Sequence, residues 1–246
     1  MIPKKIHYCW FGRGEKSDKI KACLSSWEKY LPDYEIVEWN EDTFDLDSNI
    51  YVKQAYEARK WAFVSDYVRL YALYHCGGIY MDTDVEVLKP FDAFLESPAF
   101  TGFETKDSPI TAVFGSEKGN SVIWELLKEY EGRQFVLPDG SFDLTTNTTA
   151  ITESFLSMGV VPNGKFQKLD NVYIYPQIYF CPNNFTRIWD KPSKKSYAIH
   201  HFEGSWKDSK TRSSRLISNC RRYLVGVLRN TVGTKRLSSL KRKNGE

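Results

Sequence analysis

Apolar positions along the chain change spacing several times, and each change marks an element boundary. Lys5 to Phe11 (KIHYCWF) is a short aromatic-rich run closed by Gly12-Arg13-Gly14, which predicts a first strand. From Ser17 to Tyr30 the spacing becomes helical, with Ile20, Cys23, Leu24, Trp27 and Tyr30 on one side and Leu31-Pro32 as the stop. Tyr34 to Trp39 (YEIVEW) alternates and predicts a second strand. Between Trp61 and Tyr74 stand nine large apolar side chains, too many for a thin stripe, so this helix is expected to be buried on most of its surface. Gly77-Gly78 supplies its left-handed stop, and Ile79-Tyr80-Met81 follows as a central strand.

Beyond Pro90 the pattern predicts strands at Ala99 to Phe103 and Thr111 to Phe114, and helices at Ser121 to Tyr130 and Thr148 to Met158. Short strands are expected at Val172 to Tyr175, Tyr179 to Cys181 and Tyr197 to His201. Strand, helix, strand, helix, strand in succession gives an α/β plan with a mainly parallel sheet. No internal repeat is present.

The sequence Asp-x-Asp occurs twice, as Asp45-Leu46-Asp47 and Asp82-Thr83-Asp84. The first copy sits in TFDLDSN, with polar neighbours and no apolar run leading in, and reads as a loop or helix cap. The second follows a buried strand. If the strand continues, Asp82 and Asp84 project from one face while Thr83 points away. Like charges that close repel unless a cation lies between them, and carboxylates suit Mg2+ or Mn2+ with positions left for phosphate oxygens. Ligands in open α/β sheets gather beyond the carboxyl ends of the strands, where this pair would lie.

Other residues join that picture. Asp66 and Arg69 share a face of the apolar helix, either as an intrahelical ion pair or as a carboxylate and guanidinium offered to sugar hydroxyls. Of the adjacent His200 and His201 at most one reaches a shared site, and His201 is either a nitrogen ligand completing the metal's shell or a surface histidine beside a turn. Ser205 and Trp206 supply O–H and N–H donors for phosphate oxygens. Trp10, ending the first strand, either packs in the core or stacks on a nucleobase. A dinucleotide or P-loop glycine motif is missing.

Composition adds an asymmetry. From Lys207 onward there are 12 Lys and Arg against two acids, a net +10, leaving 22 bases against 29 acids, or −7, on residues 1–206. A globular domain over 1–206 and a basic amphipathic helical segment over 207–246 are therefore expected. Residues 210–246 would suit an anionic membrane surface, while the acidic body argues against nucleic acid. Five scattered cysteines without a C-x-x-C spacing fit a reducing compartment. The start, MIPKKIHYCWFG, has too short an apolar stretch for a signal peptide, so a cytoplasmic protein, peripheral on the inner membrane face, is expected.

Taken together, IPKKIHYCWFG, the W-x-x-x-x-P-x-Y-E-I-V-x-W-N segment and AFVSDYVRLYALYHCGGIYMDTDV resemble the DXD sugar-binding region of glycosyltransferase family 32. That family includes fungal mannosyltransferases and bacterial polysaccharide-assembly enzymes, and clostridial glucosylating toxins share a similar arrangement. The resemblance covers residues 1 to 90 densely and reaches HHFEGSW at 200–206. It implies a GT-A fold and retaining transfer of a hexose from a nucleotide sugar, expected to be a UDP-sugar, to a saccharide or lipid-linked acceptor. It further implies that Asp66 and Arg69 hold sugar hydroxyls, that Asp82, Asp84 and His201 engage Mn2+ or Mg2+ and the diphosphate, and that Trp10 stacks on the base. Ser205 and Trp206 would touch the diphosphate. Where many relatives have Thr-Gly-Pro this chain has Thr145-Thr146-Asn147-Thr148-Thr149, and Asn147 would face the sugar or acceptor side.

Two other classes fit parts of the sequence. An apolar run before Asp-x-Asp-x-Val also resembles the haloacid dehalogenase nucleophile motif, with Asp82 attacking phosphorus. A non-catalytic module that docks through its basic tail is the other.

Overall fold

The computed structural model describes residues 1–105, 108–109, 111–182 and 192–203. The basic segment 207–246, together with Ser205 and Trp206, lies outside the described residues.

Among the described residues nine strands and five α-helices form an α/β arrangement. Strands β1 (Lys5–Cys9), β2 (Glu35–Trp39), β3 (Gly78–Met81), β5 (Ala99–Gly102), β6 (Val113–Ser116), β7 (Gln167–Lys168) and β8 (Tyr173–Tyr175) form one sheet in the order β2-β1-β3-β6-β5-β8-β7. The pairings β2–β1, β1–β3 and β5–β8 are parallel, whereas β6 runs against both β3 and β5, and β7 against β8. Five of the seven strands thus point one way, and the sheet is mainly parallel as the sequence predicts. A second, two-stranded sheet pairs β4 (Val85–Val87) with β9 (Ala198–His200) in antiparallel register, Val85 opposite His200.

Helices cover both faces. Strand alternation shows why: in β3, Ile79 and Met81 join the cluster containing Trp27, Ile6 and Val85, while Tyr80 joins the cluster containing Val64, Val68 and Leu73. The first cluster is closed by α1 (Asp18–Tyr30), whose stripe Ile20, Cys23 and Trp27 is buried and whose N-terminus is capped by Ser17. Trp27 is fully buried, and its indole N–H donates to the Val85 carbonyl at 2.7 Å. Ser26 Oγ accepts from the Val87 N–H at 2.9 Å, so α1 holds β4 from one side while β9 holds it from the other.

The second cluster is covered by α2 (Ile50–Glu57), α3 (Trp61–Cys76), α4 (Ser121–Lys128) and α5 (Asn147–Ser157). Buried residues of α3 lie on every side, including Val64, Asp66, Val68, Arg69, Leu70 and Leu73, as its composition requires. It stops at Gly77, whose φ of 66° lies in the left-handed region and whose added Cβ would lie 2.7 Å from the Lys118 nitrogen. His7 then locks strand to stop: its Nδ1 accepts from the Trp39 indole at 3.1 Å and its Nε2–H donates to the Gly77 carbonyl at 2.8 Å. Burial lowers the pKa of this histidine, keeping it neutral in that role.

Some local expectations change. The strand expected at Tyr179 to Cys181 is a 3-10 turn over Gln177–Tyr179, begun by Pro176, which fixes its own φ and lacks an N–H for a ladder. α2, β4 and β7 have no counterpart among the predicted elements. Among the described residues no helix is long and apolar enough to cross a membrane.

Candidate active site

The acid pair follows β3 but does not continue it. Val85 N–H donates back to the Asp82 carbonyl at 3.0 Å, closing a turn over 82–85 between β3 and β4. The two carboxylates therefore converge from opposite supports rather than by strand alternation alone.

Asp82 belongs to the α3 side. It keeps the face of Tyr80, and the Tyr80 hydroxyl donates to Asp82 Oδ1 at 2.9 Å. Arg69 Nη1 stands 3.4 Å from the same oxygen, and the guanidinium lies 4.5 Å over the Tyr80 ring. Arg69 also pairs with Asp66 at 3.0 Å and donates to the Ser65 and Thr111 carbonyls at 3.2 and 3.1 Å. These contacts use most of its five donors, which is how a cation whose side chain is only 7% exposed is accommodated. Burial opposes that charge, yet the facing Tyr80, Asp82 and Asp66 keep the guanidinium more firmly protonated than usual. Asp82 Oδ2 has no hydrogen-bond partner among the described residues.

Asp84 belongs to the β9 side. His200 Nε2 lies 3.3 Å from its Oδ1, the Glu203 N–H donates to Oδ2 at 2.8 Å, and its carbonyl accepts from the His201 N–H at 3.1 Å. Burial pushes the Asp84 carboxyl upward, but His200 and the Glu203 N–H outweigh it and hold the group below the usual carboxylate range. For His200 burial disfavours the cation, and the hydrogen bond and charge of Asp84 reverse that, raising its pKa. Its ring rests on Phe202, centroids 4.0 Å apart.

Asp82, Asp84 and His200 can each present a ligand atom such that all lie within 4.8 Å of one another. Two carboxylate oxygens and one imidazole nitrogen form a donor set suited to a hard or borderline divalent cation. Buried His200 Nδ1, on the other side of the ring from Asp84, has no hydrogen-bond partner among the described residues. His201, the histidine expected from the sequence, goes elsewhere: its Nε2 is 2.9 Å from Glu86 Oε2. The physical reason is that β9 ends at His200 and the chain turns immediately, with Phe202 at a φ of 56°.

Asp66 and Asn147 face each other. Burial pushes the Asp66 carboxyl up to about 6 against the pull of Arg69, and the Asn147 amide favours its charge. Asn147, the first residue of α5, is 5% exposed; its amide lies beside the Asp66 carboxylate without reaching hydrogen-bond geometry, and neither amide atom completes a hydrogen bond among the described residues. Trp10 lines a separate hollow of about 530 Å3 beyond the carboxyl ends of β1 and β2, with Arg13, Lys16, Lys21, Glu38 and Asn40. Its indole donates to the Gly14 carbonyl at 2.7 Å, and Lys16 Nζ lies 5.2 Å over its ring. The sequence reading missed Tyr80, whose aromatic signal is that of any core strand.

Residues 17–101 match the family model described as "glycosyltransferase sugar-binding region containing DXD motif". The chain is 28% identical over 188 residues to "Subversion of eukaryotic traffic protein A" of Legionella pneumophila, covering 62% of this chain and 28% of that protein. It is likewise 28% identical over 131 residues to "Inositol phosphoceramide mannosyltransferase 3" of Schizosaccharomyces pombe, covering 52% of this chain and 36% of the other. The match thus spans about a third of the length of these curated relatives. Among solved structures, the "PaToxG Glycosyltransferase" superimposes with a TM-score of 0.48 at 20% identity, covering 64% of this chain and 70% of that one. A glycosyltransferase involved in the glycosylation of the major capsid of PBCV-1 gives a TM-score of 0.43 at 12% identity, over 87% and 98% of the two chains.

Proposed function

We propose that this chain, whose residues 17–101 form a DXD sugar-binding region similar to that of glycosyltransferases, transfers a hexose from a nucleotide sugar with retention of configuration. The observation that carries the reading is the convergence of Asp82, Asp84 and His200 from two different supports onto one cation-sized point. Asp82, Asp84 and His200 would hold Mn2+ or Mg2+, which would stabilise the negative charge of the departing diphosphate.

The chain's own residues do the rest. Trp10 offers a flat face and Lys16 a cation to the base and ribose, within a hollow large enough for a nucleoside. Arg69 holds Asp82 and Asp66 apart and in register, so that one carboxylate faces the phosphate end and the other the sugar. Asp66 and the Asn147 amide accept and donate to sugar hydroxyls, which would satisfy the amide's unmade hydrogen bonds. Ser205 and Trp206 remain in this proposal as donors to the diphosphate. A covalent nucleophile is not assigned, and a same-face displacement is the matching reaction course.

A UDP-hexose as donor and a saccharide or lipid-linked acceptor complete the reading. The fungal relative, named an inositol phosphoceramide mannosyltransferase, supports mannose and a lipid-linked acceptor as the members of those classes to try first. The basic segment 210–246 would keep the protein peripheral on an anionic cytoplasmic membrane face. Phosphomonoester hydrolysis has less support, because the acid pair follows β3 after about eighty residues rather than the first strand, and the His200 brought to it has no role in that scheme. Incubation with a panel of UDP- and GDP-sugars and Mn2+ tests the proposal. Metal-dependent nucleotide release from one donor is expected, and phosphate release from simple phosphomonoesters without it would favour hydrolysis.

A further inference from the structure

A second hollow, of about 440 Å3, opens where α4 and α5 meet and is lined by Glu129, Arg133, Asp143, Thr145, Glu153 and Ser154. It shares no lining residue with the hollow at Trp10. Arg133 is its one guanidinium donor. Its guanidinium lies 4.9 Å over the Tyr51 ring and 5.1 Å over the Tyr130 ring, and its Nε and Nη2 reach Asp143 Oδ2 at 2.8 and 2.7 Å. Asp143 Oδ1 accepts in turn from the Thr145 N–H at 3.0 Å. A clamped guanidinium, three carboxylates and several hydroxyls present donors and acceptors in one small space, which is the chemistry that recognises a ring of hydroxyl groups.

The hollow adjoins the sugar end of the site. Thr145 and Thr146 lead directly into Asn147, and the charge of Arg133 acts on Asp66. Beside them are buried polar groups with no hydrogen-bond partner among the described residues: both amide atoms of Asn147, next to Asp66, and the hydroxyl of Tyr51, a residue that is 0% exposed and whose ring lies under Arg133. Native proteins seldom leave such groups unpaired, and a ligand that bridges Asp66 and Arg133 would pair them.

We propose that this hollow is the acceptor subsite and that it takes a cyclic polyol, the ring of a saccharide or of a cyclitol headgroup; this rests on the transferase reading above. In transfer the acceptor hydroxyl oxygen bonds to the anomeric carbon as the bond from that carbon to the diphosphate oxygen breaks. The hydroxyl proton leaves to the diphosphate.

The test uses the full chain with Mn2+ and whichever of UDP-glucose and GDP-mannose it hydrolyses, offering methyl α-mannoside or vesicles containing phosphatidylinositol. Product from the first identifies a free saccharide and from the second a lipid headgroup, and product from neither overturns the proposal. Ser154→Trp, which fills the hollow, and Glu153→Arg, which changes its charge at an exposed position, should each lower the ratio of glycosylated product to free sugar by about tenfold or more. An unchanged ratio in both variants overturns it. Should the chain hydrolyse no donor, the transferase reading fails separately. Saturation-transfer NMR of methyl α-mannoside then still decides the hollow, with a signal lost in Ser154→Trp expected and an absent or unaltered signal contradicting it.

Discussion

The chain contains the same three-residue pattern twice, and the two copies have become different objects. At residues 45–47, Asp45 accepts from the Asp47 N–H at 3.0 Å and begins a 3-10 turn over Leu46–Ser48. Asp47 meets Lys53 at 2.8 Å, with the two side chains 74% and 47% exposed. Each carboxylate is satisfied locally and water screens what remains. At residues 82–84, by contrast, both carboxylates are drawn in from solvent and reached by groups distant in sequence, Arg69 on one side and His200 on the other. The comparison teaches that the chemistry of Asp-x-Asp resides in its supports, not in its spacing.

Substitutions can break that contrast, and the largest effect is expected at the second copy. Asp84→Asn removes a charge and little volume, so thermal unfolding should shift only modestly while Mn2+-dependent donor turnover falls on the order of a thousandfold. Asp47→Asn should leave turnover within about twofold, because an exposed pair contributes only about 0–1 kcal/mol and touches no ligand. Next comes Arg69→Ala, which leaves Asp66 and Asp82 facing each other without their shared cation. Denaturant unfolding should show a loss of about 3–5 kcal/mol.

The two histidines sharpen the contrast further. His200→Ala should weaken Mn2+ binding by about 10–100-fold in a calorimetric titration, and His201→Ala by far less. Equal losses would remove the assignment of His200. A small effect is expected for Asp45→Ala, which removes a cap and should cost about 1 kcal/mol of stability without altering turnover.

Much of this was legible before the structure, for identifiable reasons. α1 and α3 announce themselves through spacing, and their stops at Leu31 and Gly77 are chemically distinctive. The structural role of Asp45 was readable from its polar neighbours. Helix α2 has only eight residues, of which Tyr51, Val52 and Ala55 are buried, too short a stripe to rise above its polar approach. β4 has three residues and owes its existence to partners far away, α1 through Trp27 and Ser26 and β9 through Val85 opposite His200. That distant pairing also decided which histidine faces Asp84. Strand alternation says that one of two adjacent residues points inward, but only the register and the turn at Phe202 say which.

The central claim concerns a single cation. Titration of Mn2+ into the full chain, followed by electron paramagnetic resonance of the unbound ion, measures it directly in the wild type, in Asp84→Asn and in Asp47→Asn. One site that is lost in Asp84→Asn and unchanged in Asp47→Asn is predicted, and equal binding by all three proteins would contradict the account.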